Sequence, residues 1–117
     1  MMHATTHRRD MTPAEVHDAL RRRAIVLIDV REPHEFSVER IAGALLFPTS
    51  RFDPLALPTG GDRPLVLHCG TSKRSAAALA QCIEAGVPVT AHMFGGLEAW
   101  RLAHLPTLTP DPNAERK

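Results

Sequence analysis

At 117 residues, 44% hydrophobic and 23% charged, the chain has the size and composition of one globular domain with a modest core, which excludes global disorder. A formal net charge of +1 and an aromatic content of 4%, with no tyrosine, argue against nucleic-acid and membrane-surface binding, which draw on basic faces and stacking platforms. Two cysteines make no disulfide framework, no apolar run approaches the roughly eighteen residues of a membrane span, and residues 1–10 lack the apolar core of a signal peptide, so a reducing cytoplasm is the expected location.

Residues 1–10 read as a polar, flexible arm. Thr12-Pro13-Ala14-Glu15 marks a helix start, with a threonine N-cap, a proline at the first helical position and a glutamate placed to close a capping box. Val16, Ala19 and Leu20 share one face of that helix, and Arg21, Arg22 and Arg23 sit at its C-terminal end, where the dipole favours positive charge. Ile25-Val26-Leu27-Ile28 is a continuous branched apolar run, the pattern of a strand buried on both faces. Residues 33–39 read as a short helix anchored by Phe36, and a turn over 41–44 leads into the apolar run Leu45-Leu46-Phe47, closed by Pro48. A short helical piece over 52–57 precedes a loop containing Gly60-Gly61. Leu65-Val66-Leu67-His68 is the central strand, followed by a loop and then a helix over 75–84 that ends at Gly86. Residues 87–93 read as the last strand, Gly95-Gly96 breaks it, and 97–104 form a closing helix with Trp100. The terminal 108–117 read as a solvated tail.

Alternating strands and helices imply an α/β sandwich around a mostly parallel sheet, whose ligands bind at the carboxyl ends of the strands. Three loops converge there: 29–32, 69–74 and 94–96. The middle one holds the chemistry. Cys69 stops a buried strand and faces the start of a helix, where backbone N–H groups and the helix dipole favour an anion. That field lowers a thiol pKa, because only the thiolate gains from it. Lys73 and Arg74 add positive charge, and the set suits a nucleophilic thiolate, a bound oxyanion, or both in turn. Gly70, Thr71 and Ser72 contribute mainly backbone N–H groups, and Ser75 is either a hydrogen-bond donor or a cap. Cys82 falls on a helix face with Leu79 and Ile83 and reads as core. His68 abuts the cysteine but points to the opposite face of the strand, so it reads as a core histidine. The seven histidines show no paired ligand spacing, so no metal site is expected.

Cys69, four intervening residues, then Arg74 and Ser75 at a helix start resemble the active-site loop of the rhodanese family of sulfurtransferases. Cysteine-cradle phosphatases place five residues in that interval, so the smaller loop fits a sulfur atom better than a phosphate. Leu27-Ile28-Asp29-Val30-Arg31-Glu32-Pro33-His34-Glu35-Phe36 is similar to the family's first signature, Ile41-Ala42-Gly43-Ala44 with Phe47-Pro48 to its second, and Phe94-Gly95-Gly96-Leu97-Glu98-Ala99-Trp100 to its C-terminal motif. The resemblance covers residues 11–107 as one domain, like the stand-alone single-domain members.

It implies a three-layer sandwich with helices on both faces of a mostly parallel sheet. It implies a Cys69 persulfide that passes sulfane sulfur from thiosulfate or a persulfide donor to a thiol or protein-cysteine acceptor, with no cofactor, in a monomer or weak homodimer. Gly70 to Ser75 would form the substrate-binding loop. Lys73 and Arg74 would stabilise the donor dianion and the departing sulfite, unless Arg74 braces the loop by pairing with a carboxylate. Asp29 is expected to orient the loop, and Arg31 to pair with Glu35 or Glu32. Arg40 stands where the family commonly has histidine, a difference expected to be structural. Ser72 stands where many active loops have glycine, which would cost on the order of 1 kcal/mol if the backbone there needs a positive φ. Two other classes remain as alternatives: a non-catalytic rhodanese-like binding or regulatory module, and a cysteine-cradle phosphatase or arsenate reductase.

Overall fold

The capping box closes at the first helix. Thr12 Oγ1 accepts from the Glu15 N–H at 3.1 Å while Glu15 Oε1 accepts from the Thr12 N–H at 2.8 Å, and helix α1 runs over Pro13–Arg21. The computed structural model describes residues 8–110. Its strands are β1 Arg9–Met11, β2 Val26–Asp29, β3 Leu45–Leu46, β4 Leu65–His68 and β5 Ala91–Met93, and its other helices are α2 Pro33–Val38, α3 Lys73–Glu84 and α4 Gly96–Leu102. Two short 3-10 turns, Thr49–Arg51 and Pro54–Ala56, connect β3 to β4. The five strands pair in parallel in the order β1-β5-β4-β2-β3.

Successive strand residues point to opposite faces, so the apolar runs feed two core layers. On one face Leu27, Val66, Ala91 and Met93 pack with Val16 and Ala19 of α1 and Leu97 and Trp100 of α4. On the other, Ile28, Leu65 and Leu67 pack with Ala78, Leu79 and Cys82 of α3. Each fully buried Leu or Ile contributes on the order of 1.5–3 kcal/mol. Both faces are covered, the condition under which a parallel sheet is stable. Cys82 belongs to this core, and burial pushes its thiol up to about 11.

The ends differ from the sequence expectation. Of the expected arm, residues 1–7 lie outside the described residues, but Arg9 and Asp10 join β1 and pair with β5. Strand β5 is shorter than expected, because Pro88 has no N–H for a ladder and the Val89 N–H turns back to the Val87 carbonyl at 2.7 Å. Of the expected tail, 111–117 lie outside the described residues, whereas Leu108 exchanges two backbone hydrogen bonds with Arg40 at 3.0 and 2.7 Å. Arg40 also lays its guanidinium over the Phe36 ring, 4.5 Å from the centroid. Among the described residues, no helix is long and apolar enough to cross a membrane.

Candidate active site

Cys69 leaves the end of β4 and its sulfur serves as the acceptor for the start of α3. The helix begins at Lys73, two residues earlier than expected, and its N-cap, Ser72, makes no side-chain cap bond. The orphan N–H groups turn to the sulfur instead: Ser72 N–H lies 3.2 Å and Ser75 N–H 3.3 Å from Cys69 Sγ. The Ser75 hydroxyl lies 3.5 Å from the same atom. Cys69 is fully buried, and burial pushes its thiol up, but the Ser75 hydroxyl and the N–H groups of Ser75, Ser72 and Thr71 outweigh it and hold the thiol below its usual value. Thr71 and Lys73 are exposed at the rim, and Gly70, Ser72 and Arg74 are half-buried.

The loop is locked from the side of β5. Gly95 and Gly96 have φ of 85° and 62°, and a Cβ on Gly96 would come within 2.5 Å of the Cys69 carbonyl oxygen. That close approach lets the first N–H groups of α4 reach the loop, with Leu97 N–H to Cys69 O at 2.8 Å and Glu98 N–H to Gly70 O at 3.0 Å. Ser72 takes a φ of 117°, the strained backbone that the departure from glycine foreshadowed, and its Oγ accepts from the Gly95 N–H. The serine side chain therefore ties two of the three convergent loops together.

The charged residues arrange themselves differently from the sequence expectation. Arg31 pairs with neither Glu35 nor Glu32. Its Nη2 lies 2.8 Å from Asp29 Oδ2 and 2.6 Å from the Glu39 carbonyl, and its backbone N–H also donates to Asp29 Oδ1, which keeps the guanidinium beside Asp29. Glu32 is taken by Thr49 and Ser50, and Glu35 by Arg74. Asp29 makes no hydrogen bond to the 69–74 loop; it binds the Arg31 backbone and side chain, and its Oδ2 lies 3.5 Å from His68 Nε2. Burial alone would raise the Asp29 carboxyl, but His68 and Arg31 hold it well below the carboxylate range. Of the two, Arg31 is the stronger partner, since 3.5 Å is long for a hydrogen bond. His68 is fully buried, as a core histidine, with Nδ1 3.2 Å from the Cys69 carbonyl.

Three residues tied to the loop through its side chains were not singled out as site residues from the sequence. Glu35 holds Arg74 with contacts of 2.6 and 3.0 Å. His92, fully buried on β5, has Nδ1 2.8 Å from Ser75 Oγ and Nε2 3.0 Å from Asp10 Oδ1. The available signal was a polar residue between Ala91 and Met93 in an otherwise apolar strand. Asp10 carried no signal, because β1 has no apolar run. Among the described residues, no group of three or more His, Cys, Asp or Glu side chains is placed to hold a metal ion. A concavity of about 690 Å³ lies at the opposite end of the sheet, against Ile25, Leu45 and residues 60–63.

A family model described as a rhodanese-like domain matches residues 12–103. The chain is 47% identical over 85 residues to an uncharacterized protein of Synechocystis sp., covering 73% of this chain and 48% of that one. It is 31% identical over 102 residues to the thiosulfate sulfurtransferase GlpE of Actinobacillus succinogenes, covering 86% of this chain and 90% of that one. The chain thus spans about half the length of the first relative and nearly all of the second. A rhodanese-related protein from Thermoplasma volcanium shares the fold with a TM-score of 0.74 at 26% identity, covering 86% of this chain and 97% of that one.

Proposed function

The chain belongs to the rhodanese-like family, and from that premise we propose that it is a sulfurtransferase working through a persulfide on Cys69. The observation that carries this reading is the pair of N–H groups, from Ser72 and Ser75, aimed at Cys69 Sγ from 3.2 and 3.3 Å. They stabilise a thiolate more than a thiol, and a persulfide anion that extends into the loop meets the same helix N-terminus. The thiolate attacks the outer sulfur of thiosulfate, the S–S bond of the donor breaks, and sulfite leaves with the bonding pair. A nucleophile such as cyanide, a thiol or a protein cysteine then removes the outer sulfur and returns the thiolate. The two half-reactions give a ping-pong transfer. Lys73 at the rim adds positive charge for the dianionic donor. Because Cys69 has no exposed surface, part of its surroundings must yield for the donor to reach it.

That burial, with Arg74 already occupied by Glu35, favours a second reading: a non-catalytic module that keeps the loop for structure. Thiocyanate formation from thiosulfate and cyanide separates the two. The transferase reading expects turnover that Cys69→Ala abolishes; a folded wild-type chain that forms no thiocyanate, with thiosulfate or a persulfide donor, supports the module.

A further inference from the structure

Behind the sulfur runs a chain of side chains that the transfer chemistry described above does not use. Cys69 Sγ lies 3.5 Å from Ser75 Oγ, Ser75 Oγ 2.8 Å from His92 Nδ1, and His92 Nε2 3.0 Å from Asp10 Oδ1. Asp10 and His92 are direct cross-strand partners of β1 and β5, so their side chains share the α3 face. Ser75 and His92 are fully buried, whereas the Asp10 side chain is 45% exposed, so the chain runs from the buried sulfur to solvent.

The donors and acceptors sort themselves by chemistry. An ionised carboxylate only accepts, so the proton between His92 and Asp10 belongs to Nε2, and Nδ1 faces Ser75 as an acceptor. The Ser75 hydroxyl then donates to His92 and is free to accept from the Cys69 S–H. The Ser72 carbonyl, 3.1 Å from Ser75 Oγ, competes for the same hydroxyl proton at a longer distance.

We propose that His92 is a positioning residue for sulfur transfer: acting through Ser75, it takes the Cys69 proton and holds it while the thiolate is formed. The Cys69 S–H bond breaks as a Ser75 O–H bond forms, and the original Ser75 O–H bond breaks as a His92 Nδ1–H bond forms. Ser75 stays neutral, no electrons are exchanged, and the products are a thiolate and an imidazolium braced by the Asp10 carboxylate. The Ser75 hydroxyl now donates to the thiolate, and the proton is available when Cys69 is released at the end of a cycle. The charged and titratable groups that face the ring are Asp10 and Arg8 from the β1 side and Cys69 through Ser75; its β4 neighbour in register is Leu67. Burial and Arg8 lower the His92 pKa against the pull of Asp10, which favours the neutral ring in the resting state.

The inference rests on Cys69 being the nucleophile, and its test does not use sulfur transfer. Thiolate absorbance is titrated on the full chain in a Cys82→Ala background, which leaves one thiol. His92→Gln can still hydrogen-bond but cannot take a proton. It should raise the Cys69 pKa by about one unit, about tenfold less thiolate near neutral pH. Asp10→Asn should move the pKa the same way by less, and Ser75→Ala should remove any further effect of His92→Gln. A folded His92→Gln protein with the wild-type titration, or an undiminished effect in the Ser75→Ala background, overturns the proposal. Should His92→Gln fail to fold, ring ¹⁵N shifts decide. The proposal requires the Nε2–H tautomer and a His92 titration that changes on Cys69→Ser; a ring indifferent to that change overturns it. A normal relay in a chain that cannot be loaded with sulfur would refute the transferase reading and leave the relay standing.

Discussion

Arg74 and Glu35, 39 positions apart in the chain, meet in a two-pronged ion pair, Nη1 to Oε1 at 2.6 Å and Nη2 to Oε2 at 3.0 Å. Glu35 Oε1 also accepts from the Glu32 N–H at 2.9 Å, closing the start of α2. The pair therefore clamps the cysteine loop to the helix after β2. An arginine that could have waited for a substrate anion is committed to a carboxylate, and its guanidinium lies over Gly70, 3.1 Å from where a Cβ would stand.

The pair has an acid signature. Arg74 and the Glu32 N–H hold the Glu35 carboxyl down to about 2 against the opposing effect of burial. A carboxyl depressed in the folded state stabilises the fold above its ordinary pKa of 4.5 and loses that contribution as pH falls toward 2. Both side chains are partly exposed, so solvent screening limits the contribution to about 1 kcal/mol or less. Glu35→Gln should lower the melting temperature at neutral pH and flatten its decline over this window. A variant whose acid limb matches the wild type would show that the clamp contributes nothing.

Ser72 offers a test of loop strain. Glycine at this position relieves about 1 kcal/mol of positive-φ cost and forfeits a hydrogen bond worth about 1 kcal/mol. Ser72→Gly should therefore stay within about 0.5 kcal/mol of the wild type in denaturant unfolding, whereas Ser72→Ala, which keeps the strain and loses the bond to Gly95, should fall by about 1 kcal/mol. A Ser72→Ala protein as stable as the wild type would remove the tie between the two loops.

Much of this architecture was legible in the residues, for physical reasons that differ by element. The capping box at Thr12 and Glu15 and the branched run at 25–28 are local signals, and both elements formed. Strand β1 was missed because Arg9-Asp10-Met11 has no apolar pattern; it is extended because β5 supplies a ladder. The partners of Arg31 and Arg74 were not legible for a similar reason. Several carboxylates lay within reach in sequence, and only the turn after β2 decides which arginine meets which. Cys69 stood out because the chemistry around it is local, while His92 reaches Ser75 only once α3 has packed on β5.

Among the described residues, Asp29 and Arg31 form the most buried pair of an arginine with a carboxylate, with side chains 0% and 5% exposed. Removing one charge leaves the other unpaired in the interior, so Asp29→Asn should cost about 3–5 kcal/mol in unfolding free energy. Since the folded carboxyl is depressed, its contribution is present at neutral pH and is lost only under strong acid. A near-neutral Asn variant would show that Arg31 is satisfied by the Glu39 carbonyl alone.

Intact-protein mass after incubation of the reduced chain with thiosulfate tests the account most directly. A gain of one sulfur atom, present in Cys82→Ala, absent from Cys69→Ala and released by cyanide as thiocyanate, is the result the account predicts. Cys82→Ala should load as the wild type does, because a thiol pushed up to about 11 in the core takes no part. A folded chain with a free thiol that gains no mass from thiosulfate or from a persulfide donor would contradict it.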